Sequence, residues 1–275
     1  MGYPIPLVSS SWLANHLDDS NLVIADCRFS LMKPDLGRSQ YTESHIPGSV
    51  YLHLNHDLSS PVQRHGGRHP LPDVNQFAQT LSLMGVTVGK TYVVAYDDSQ
   101  FAFSARLWWL LRYFGHDQVA VLDGGFQTWQ QAGYPVTQTV PVPQPGLFTP
   151  TVRSPMVVTI DDVRSRGSIS GVAIVDSRSG ERYRGEHEPI DPIAGHIPGA
   201  VNQFWKDVTD GDGLAHSPER QRSRWQSVAD ADEIMVYCGS GVTACVNLLS
   251  LELAGITTGK LYAGSWSDWC SYQIR

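Results

Sequence analysis

The chain has 275 residues, 41% of them hydrophobic and 17% charged, with a formal net charge of −7. That length suits two domains of ordinary size, and that apolar content is enough to bury a core in each. An acidic total excludes nucleic acid or an anionic membrane as the main partner, and Arg, Asp or Gly interrupts every apolar run before it could span a bilayer.

The opening stretch MGYPIPLVSS has no basic region followed by a long apolar core. Pro6 stands where a myristoylation signal needs Ser or Thr, so no targeting segment is expected. Four cysteines without framework spacing fit the reduced thiols of a cytoplasmic chain.

In chain order, the first buried strand is predicted at Leu22–Ile24, within LVIADCR (Leu22 to Arg28). HIPGSV follows from His45, and a second strand is predicted at Tyr92–Ala95 within TYVVAYDDS (Thr91 to Ser99). SARLWWLLRYFG (Ser104 to Gly115) has helical length and ends on glycine, as helix C-termini often do. A strand at Val119–Leu122 then leads into VLDGGFQTW (Val121 to Trp129). The stretch Tyr134 to Pro155 is rich in proline and poor in periodicity, which predicts a semi-rigid, extended linker.

Beyond the linker the series returns. VAIVDSR (Val172 to Arg178) repeats the first segment and HIPGAV from His196 the second; EIMVYCGS (Glu233 to Ser240) and KLYAGSWSDW (Lys260 to Trp269) answer the last two. Strands are predicted at Ala173–Val175, Ile234–Tyr237 and Lys260–Tyr262, and a helix over Ala244–Gly255. Matches in the same order mean two copies of one unit. We place them at residues 1–135 and 156–275, joined by the linker 136–155. Strand–helix alternation predicts an α/β fold, each copy a mostly parallel sheet flanked by helices, with ligands outside the carboxyl ends of the strands.

Cys238 falls at such an end, and its counterpart in the first copy is Asp97. Between the strand and the helix, Gly239 and Gly241 let successive N–H groups turn toward one point, and the helix dipole adds positive potential. Both effects favour an anionic sulfur at Cys238, as thiolate or persulfide, with hydroxyls of Ser240 and Thr243 as further donors. The alternative is a buried packing cysteine beside a glycine turn. An ionic sister residue speaks against it, because apolar and ionic groups do not interchange in a core.

The duplicated unit, the two HIPG turns and the loop CGSGVT resemble the tandem-domain rhodanese-type sulfurtransferases over nearly the whole chain. The resemblance implies two rhodanese-like domains, the first catalytically silent with Asp97 opposite the cysteine, the second cycling Cys238 through a persulfide. The loop Gly239, Ser240, Gly241, Val242, Thr243 is similar to the 3-mercaptopyruvate version; thiosulfate enzymes usually carry two charged residues after the cysteine. Arg182 in ERYRG matches the arginine with which the family holds the donor's anionic group. A second arginine, frequent before the second HIPG motif, is missing from EHEPIDPIAGHIPG, and Arg184 is the candidate replacement. The resemblance also implies a serine–histidine–aspartate arrangement for proton handling. Ser240 and His69 match its first two members, while Asn55 takes the aspartate position, with Asp57 nearby. The implied partners are a small sulfur donor, 3-mercaptopyruvate or thiosulfate, and a thiol, cyanide or thioredoxin-like acceptor. No cofactor and no metal are implied.

Other features have plainer readings. His45, His53, His56, His65 and His69 cluster in sequence, but no cysteine lies near them and His53-x-x-His56 alone is a weak ligand pattern; His45 and His196 are expected to brace the HIPG turns. Asp26 with Arg28 and Asp176 with Arg178 read as repeated structural ion pairs, and Trp108, Trp109, Trp129, Trp266 and Trp269 as packing residues. A cysteine phosphatase would need arginine where Ala244 stands. A non-catalytic binding module would need neither the loop nor Arg182.

Overall fold

A computed structural model of the chain describes residues 6–274. Contacts divide it into two compact units. The first comprises residues up to Ser60, Pro72–Arg153 and Thr209–Ala215; the second comprises Pro61–Leu71, Ser154–Val208 and His216 onward. The boundaries drawn from the sequence divide the chain between two contiguous halves, whereas each half in fact lends one short segment to the other's unit.

In the first unit the elements run β1 (Leu7–Val8), α1 (Ser10–Ala14), β2 (Leu22–Asp26), α2 (Leu36–Glu43), β3 (Ser49–Tyr51) and α3 (Val74–Leu83). They continue with β4 (Tyr92–Tyr96), α4 (Ser104–Tyr113), β5 (Val119–Leu122) and α5 (Gly125–Gln131). The strands pair in parallel in the order β1-β5-β4-β2-β3. YVVAY in β4 and VAVL in β5 are buried along their whole length, as expected of strands covered on both faces. Buried Tyr92, Val94, Tyr96, Leu122 and Trp129 form one core with Leu13.

The second unit repeats this plan: β6 (Val157–Val158), α6 (Ile160–Arg166), β7 (Val172–Asp176), α7 (Gly180–Arg184), β8 (Val201–Asn202) and α8 (Pro218–Trp225). Then come β9 (Glu233–Tyr237), α9 (Ala244–Leu253), β10 (Gly259–Tyr262) and α10 (Ser265–Ser271), with parallel order β6-β10-β9-β7-β8. A capping box of Thr159 and Asp162 starts α6. Its core gathers Ile174, Met235, Tyr237, Tyr262 and Trp266.

The repeated motifs are the joints of each unit. Arg28 binds Asp26 with 2.6 Å between Nη2 and Oδ2, and Arg178 binds Asp176 at the same distance; both pairs are buried. Each guanidinium also lies over an aromatic ring, Phe126 in one unit and Trp266 in the other. His45 donates from Nδ1 to the Tyr41 carbonyl at 2.6 Å, and His196 to that of Tyr183 at 2.7 Å, so both brace the HIPG turns as expected.

The linker is extended but not free. Residues 136–153 strap onto the first unit: Thr137 pairs with His45, Thr151 N–H reaches the Phe114 carbonyl at 2.8 Å, and Phe148 is buried. No helix among the described residues is long and apolar enough to cross a membrane.

Candidate active site

β9 ends at Tyr237 and α9 begins at Ala244, so Cys238–Thr243 is the strand-to-helix loop that the sequence predicts. Cys238 is 2% exposed. Its sulfur accepts the Gly241 N–H at 3.2 Å, and its own N–H donates to Ser265 Oγ at 3.1 Å. The carbonyls of Cys238 and Gly239 accept from Trp266 and Ser267 N–H at 3.0 and 2.9 Å, tying the loop to the start of α10. Gly241 has φ +78°, and a Cβ there would lie 2.3 Å from the Ala263 carbonyl oxygen, so the curl that aims its N–H at the sulfur requires glycine. Ser265 holds φ +55° without being glycine. Its hydroxyl donates to the Tyr262 carbonyl at 2.9 Å while accepting from Cys238, which fixes the rotamer that this backbone presents.

Ser240 does not point its hydroxyl at the sulfur. It lies 2.8 Å from His69 Nδ1, and both side chains are buried. His69 reaches this place because residues 61–71 belong to the second unit. That segment is held by α10: Gly66 N–H donates to Asp268 Oδ1 at 2.7 Å, Arg68 N–H to Ser267 Oγ at 3.2 Å, and His65 bonds Ser271 Oγ at 2.7 Å. The Val242 side chain is buried, and Thr243 sits at the N-cap of α9 without a side-chain capping bond. Asp57 accepts from the His53 N–H at 2.6 Å and so closes its own turn in the first unit.

Arg182 donates through Nε and Nη2 to both oxygens of Glu188, at 3.0 and 2.7 Å, and through Nη2 to Asp191 Oδ2 at 3.0 Å. Its Nη1 has no hydrogen-bond partner among the described residues and faces Gly239, where an added Cβ would lie 3.5 Å away. Burial would push the Glu188 carboxyl up, but bonds from Arg182 and from the N–H groups of Asp191 and Ile190 hold it below its ordinary value. At Asp191 burial prevails over Arg68 and Arg182, and the carboxyl is raised. Arg184 turns away: it pairs with Glu186 at 2.6 Å, both more than half exposed, and does not replace a second arginine. Arg68 does come near. It binds Asp191, and its Nη2 would lie 3.0 Å from a Cβ on Gly239.

The equivalent strand-to-helix loop of the first unit, residues 97–103, is one residue longer and centres on a carboxyl group. Asp97 Oδ1 accepts from Ser99 and Phe101 N–H at 2.8 and 3.2 Å; Oδ2 accepts from Phe103 and Ser104 N–H and the Ser104 hydroxyl at 3.0, 2.8 and 2.8 Å. Burial raises this carboxyl despite those donors. The first-unit loop therefore converges its donors on the Asp97 carboxyl, and the loop at the equivalent place in the second unit turns the Gly241 N–H onto the Cys238 sulfur. The other thiols lack such a loop: burial pushes Cys27 well up and Cys270 up to about 11, and Cys245 faces the Gly241 carbonyl.

Comparison with known proteins agrees with this geometry. The rhodanese-like domain family matches the chain twice, over residues 9–132 and 159–272. The chain belongs to the rhodanese-like family. A probable 3-mercaptopyruvate sulfurtransferase of Pseudomonas aeruginosa is 42% identical over 96% of this chain and 94% of its own length. A putative thiosulfate sulfurtransferase, SseB of Mycobacterium tuberculosis, is 35% identical over 98% and 95%. Among solved structures, the 3-mercaptopyruvate sulfurtransferase SseA of Escherichia coli superposes with a TM-score of 0.81 at 30% identity, covering 95% of this chain and 98% of that one. The two α/β domains and the tandem rhodanese-type resemblance read from the sequence are thus borne out.

Proposed function

We propose that this rhodanese-like protein is a sulfurtransferase that takes sulfur from 3-mercaptopyruvate onto Cys238 and passes it to a thiol, cyanide or thioredoxin-like acceptor. The observation that carries this is the Gly241 N–H on the Cys238 sulfur, in a loop whose sister in the first unit gathers its donors around a carboxylate. Such a loop suits a sulfur that is negative before and after transfer.

The thiolate of Cys238 attacks the donor's sulfur. A new S–S bond forms as the donor's C–S bond breaks, and its electron pair passes to carbon as the enolate of pyruvate. One proton, supplied by the donor's thiol through the Ser240–His69 pair, converts that enolate to pyruvate. An acceptor thiolate then attacks the outer sulfur and Cys238 leaves as thiolate. Ser240 and His69 serve as the proton path, and Arg182 Nη1 as a hold on the donor's carboxylate. Gly239, with no side chain, leaves the space in front of that guanidinium open.

Thiosulfate is the second donor to consider, since SseB of M. tuberculosis is named a putative thiosulfate sulfurtransferase. Gly239 and Ser240 carry no charge beside the sulfur, which favours the monoanion. Phosphatase chemistry fits poorly, because the loop closes on buried Ala244 rather than arginine. Steady-state rates with the two donors decide between them: a higher kcat/KM for 3-mercaptopyruvate supports the reading, and a higher one for thiosulfate rejects that donor.

A further inference from the structure

We infer that Arg68 is the second guanidinium of the donor site, acting with Arg182 on the carboxylate of a 2-oxo acid. This rests on the sulfurtransferase reading above. The stretch before the second HIPG turn has no arginine, yet it carries Asp191, whose two oxygens divide between Arg68 and Arg182. A carboxylate in that position recruits a cation from elsewhere in the chain, and segment 61–71 delivers it.

The pairs form one alternating row: Asp176, Arg178, Glu188, Arg182, Asp191, Arg68. Every member except Arg68 is closely paired on both sides or buried. Arg68 stands at the open end, its side chain 31% exposed, using Nη1 for Asp191. Its Nη2 and the Nη1 of Arg182 both face the position where Gly239 lacks a side chain. Two guanidinium edges on the same space match the two oxygens of a carboxylate. Asp191 sets the angle, and the three carboxylates of the row balance its three guanidiniums, so the donor's carboxylate is held by directed hydrogen bonds rather than by a net charge.

The alternative is that Arg68 only neutralises Asp191. A double-mutant cycle separates the two. With 3-mercaptopyruvate as donor, Arg68→Ala should raise KM at least about tenfold, the loss expected of one charge-assisted hydrogen bond, with kcat little changed. Arg68→Lys should lie between the two, and its unfolding midpoint shows that the segment still docks. In Arg68→Ala/Asp191→Asn the KM should stay raised, because the missing contact is with the donor. A double variant whose KM returns to the wild-type value would overturn the inference, as would an Arg68→Ala enzyme with unchanged KM. If wild-type protein gains no sulfur from 3-mercaptopyruvate, the underlying reading fails first, and that result is distinguishable because it appears without any substitution.

Discussion

Gly239 and Gly241 flank Ser240, and adding one methyl group to each should separate folding from donor binding. At Gly241 the new Cβ would meet the Ala263 carbonyl oxygen at 2.3 Å and its carbon at 3.0 Å, on a backbone with φ +78°. Left-handed backbone costs an L residue about 1–2 kcal/mol, and a clash with backbone has no rotamer to relieve it. We therefore expect Gly241→Ala to lose about 2–4 kcal/mol and to draw the N–H away from the Cys238 sulfur. At Gly239 the backbone is not left-handed, and the added Cβ meets only guanidinium ends, Arg68 Nη2 at 3.0 Å and both Arg182 Nη atoms at 3.5 Å. Those ends can shift, so Gly239→Ala should keep its stability within about 0.5 kcal/mol while its KM for the donor rises. Urea unfolding followed by tryptophan fluorescence, with single-turnover sulfur uptake read by mass, measures both. A Gly241→Ala protein that unfolds at the wild-type midpoint and takes up sulfur at the wild-type rate would refute this reasoning.

Ser240→Ala should slow sulfur uptake from 3-mercaptopyruvate by about 10²-fold or more in single-turnover kinetics, because the leaving carbon must be protonated. Uptake from thiosulfate, whose sulfite leaves without needing that proton, should fall far less; equal losses would argue against a proton path. Arg182→Lys should raise the KM for 3-mercaptopyruvate through loss of the planar fork, checked by steady-state kinetics with Arg184→Lys as the unaffected control. Glu188 is held below its ordinary value in the folded chain, so its contribution is complete above the unfolded glutamate range and is lost as pH falls through the lower, folded value. Acid titration of the unfolding midpoint should show a shallower fall over that window in Glu188→Gln than in wild type. Asp176→Asn strands buried Arg178 beside one remaining carboxylate and should cost about 3–5 kcal/mol, read from the urea midpoint.

The repeat made most of the fold legible. LVIAD and VAIVD form equivalent interior strands, each next to the edge strand of its sheet and buried over its last three residues, and the paired Asp–Arg and HIPG motifs recur as the same joints. Cys238 could be placed at a strand end for the same reason. Arg68 could not be found that way. It has no sister in the repeat, and its segment belongs by contacts to the unit of the other half, a choice made by Asp268, Ser267 and Ser271 on α10 rather than by local sequence. Asp191 was visible only as the absence of arginine, since an acidic residue gives no sign of the cation that it will attract. The left-handed Ser265 is hidden too, because serine carries no such preference and only the bonds to Cys238 and Tyr262 hold it there. The proline-rich linker hides its packing in a similar way: the N–H groups of Thr137, Gly146, Thr151 and Arg153 that bind it to the first unit are backbone donors that almost any sequence would supply.

The claim on which the rest depends is that Cys238 carries the sulfur. Native protein exposed to 3-mercaptopyruvate, quenched and weighed intact, should gain one sulfur atom that peptide mapping places on Cys238 and that cyanide removes. Cys238→Ser should gain none. Sulfur found on Cys27, Cys245 or Cys270, or a wild-type mass that does not change with either donor, would contradict the assignment.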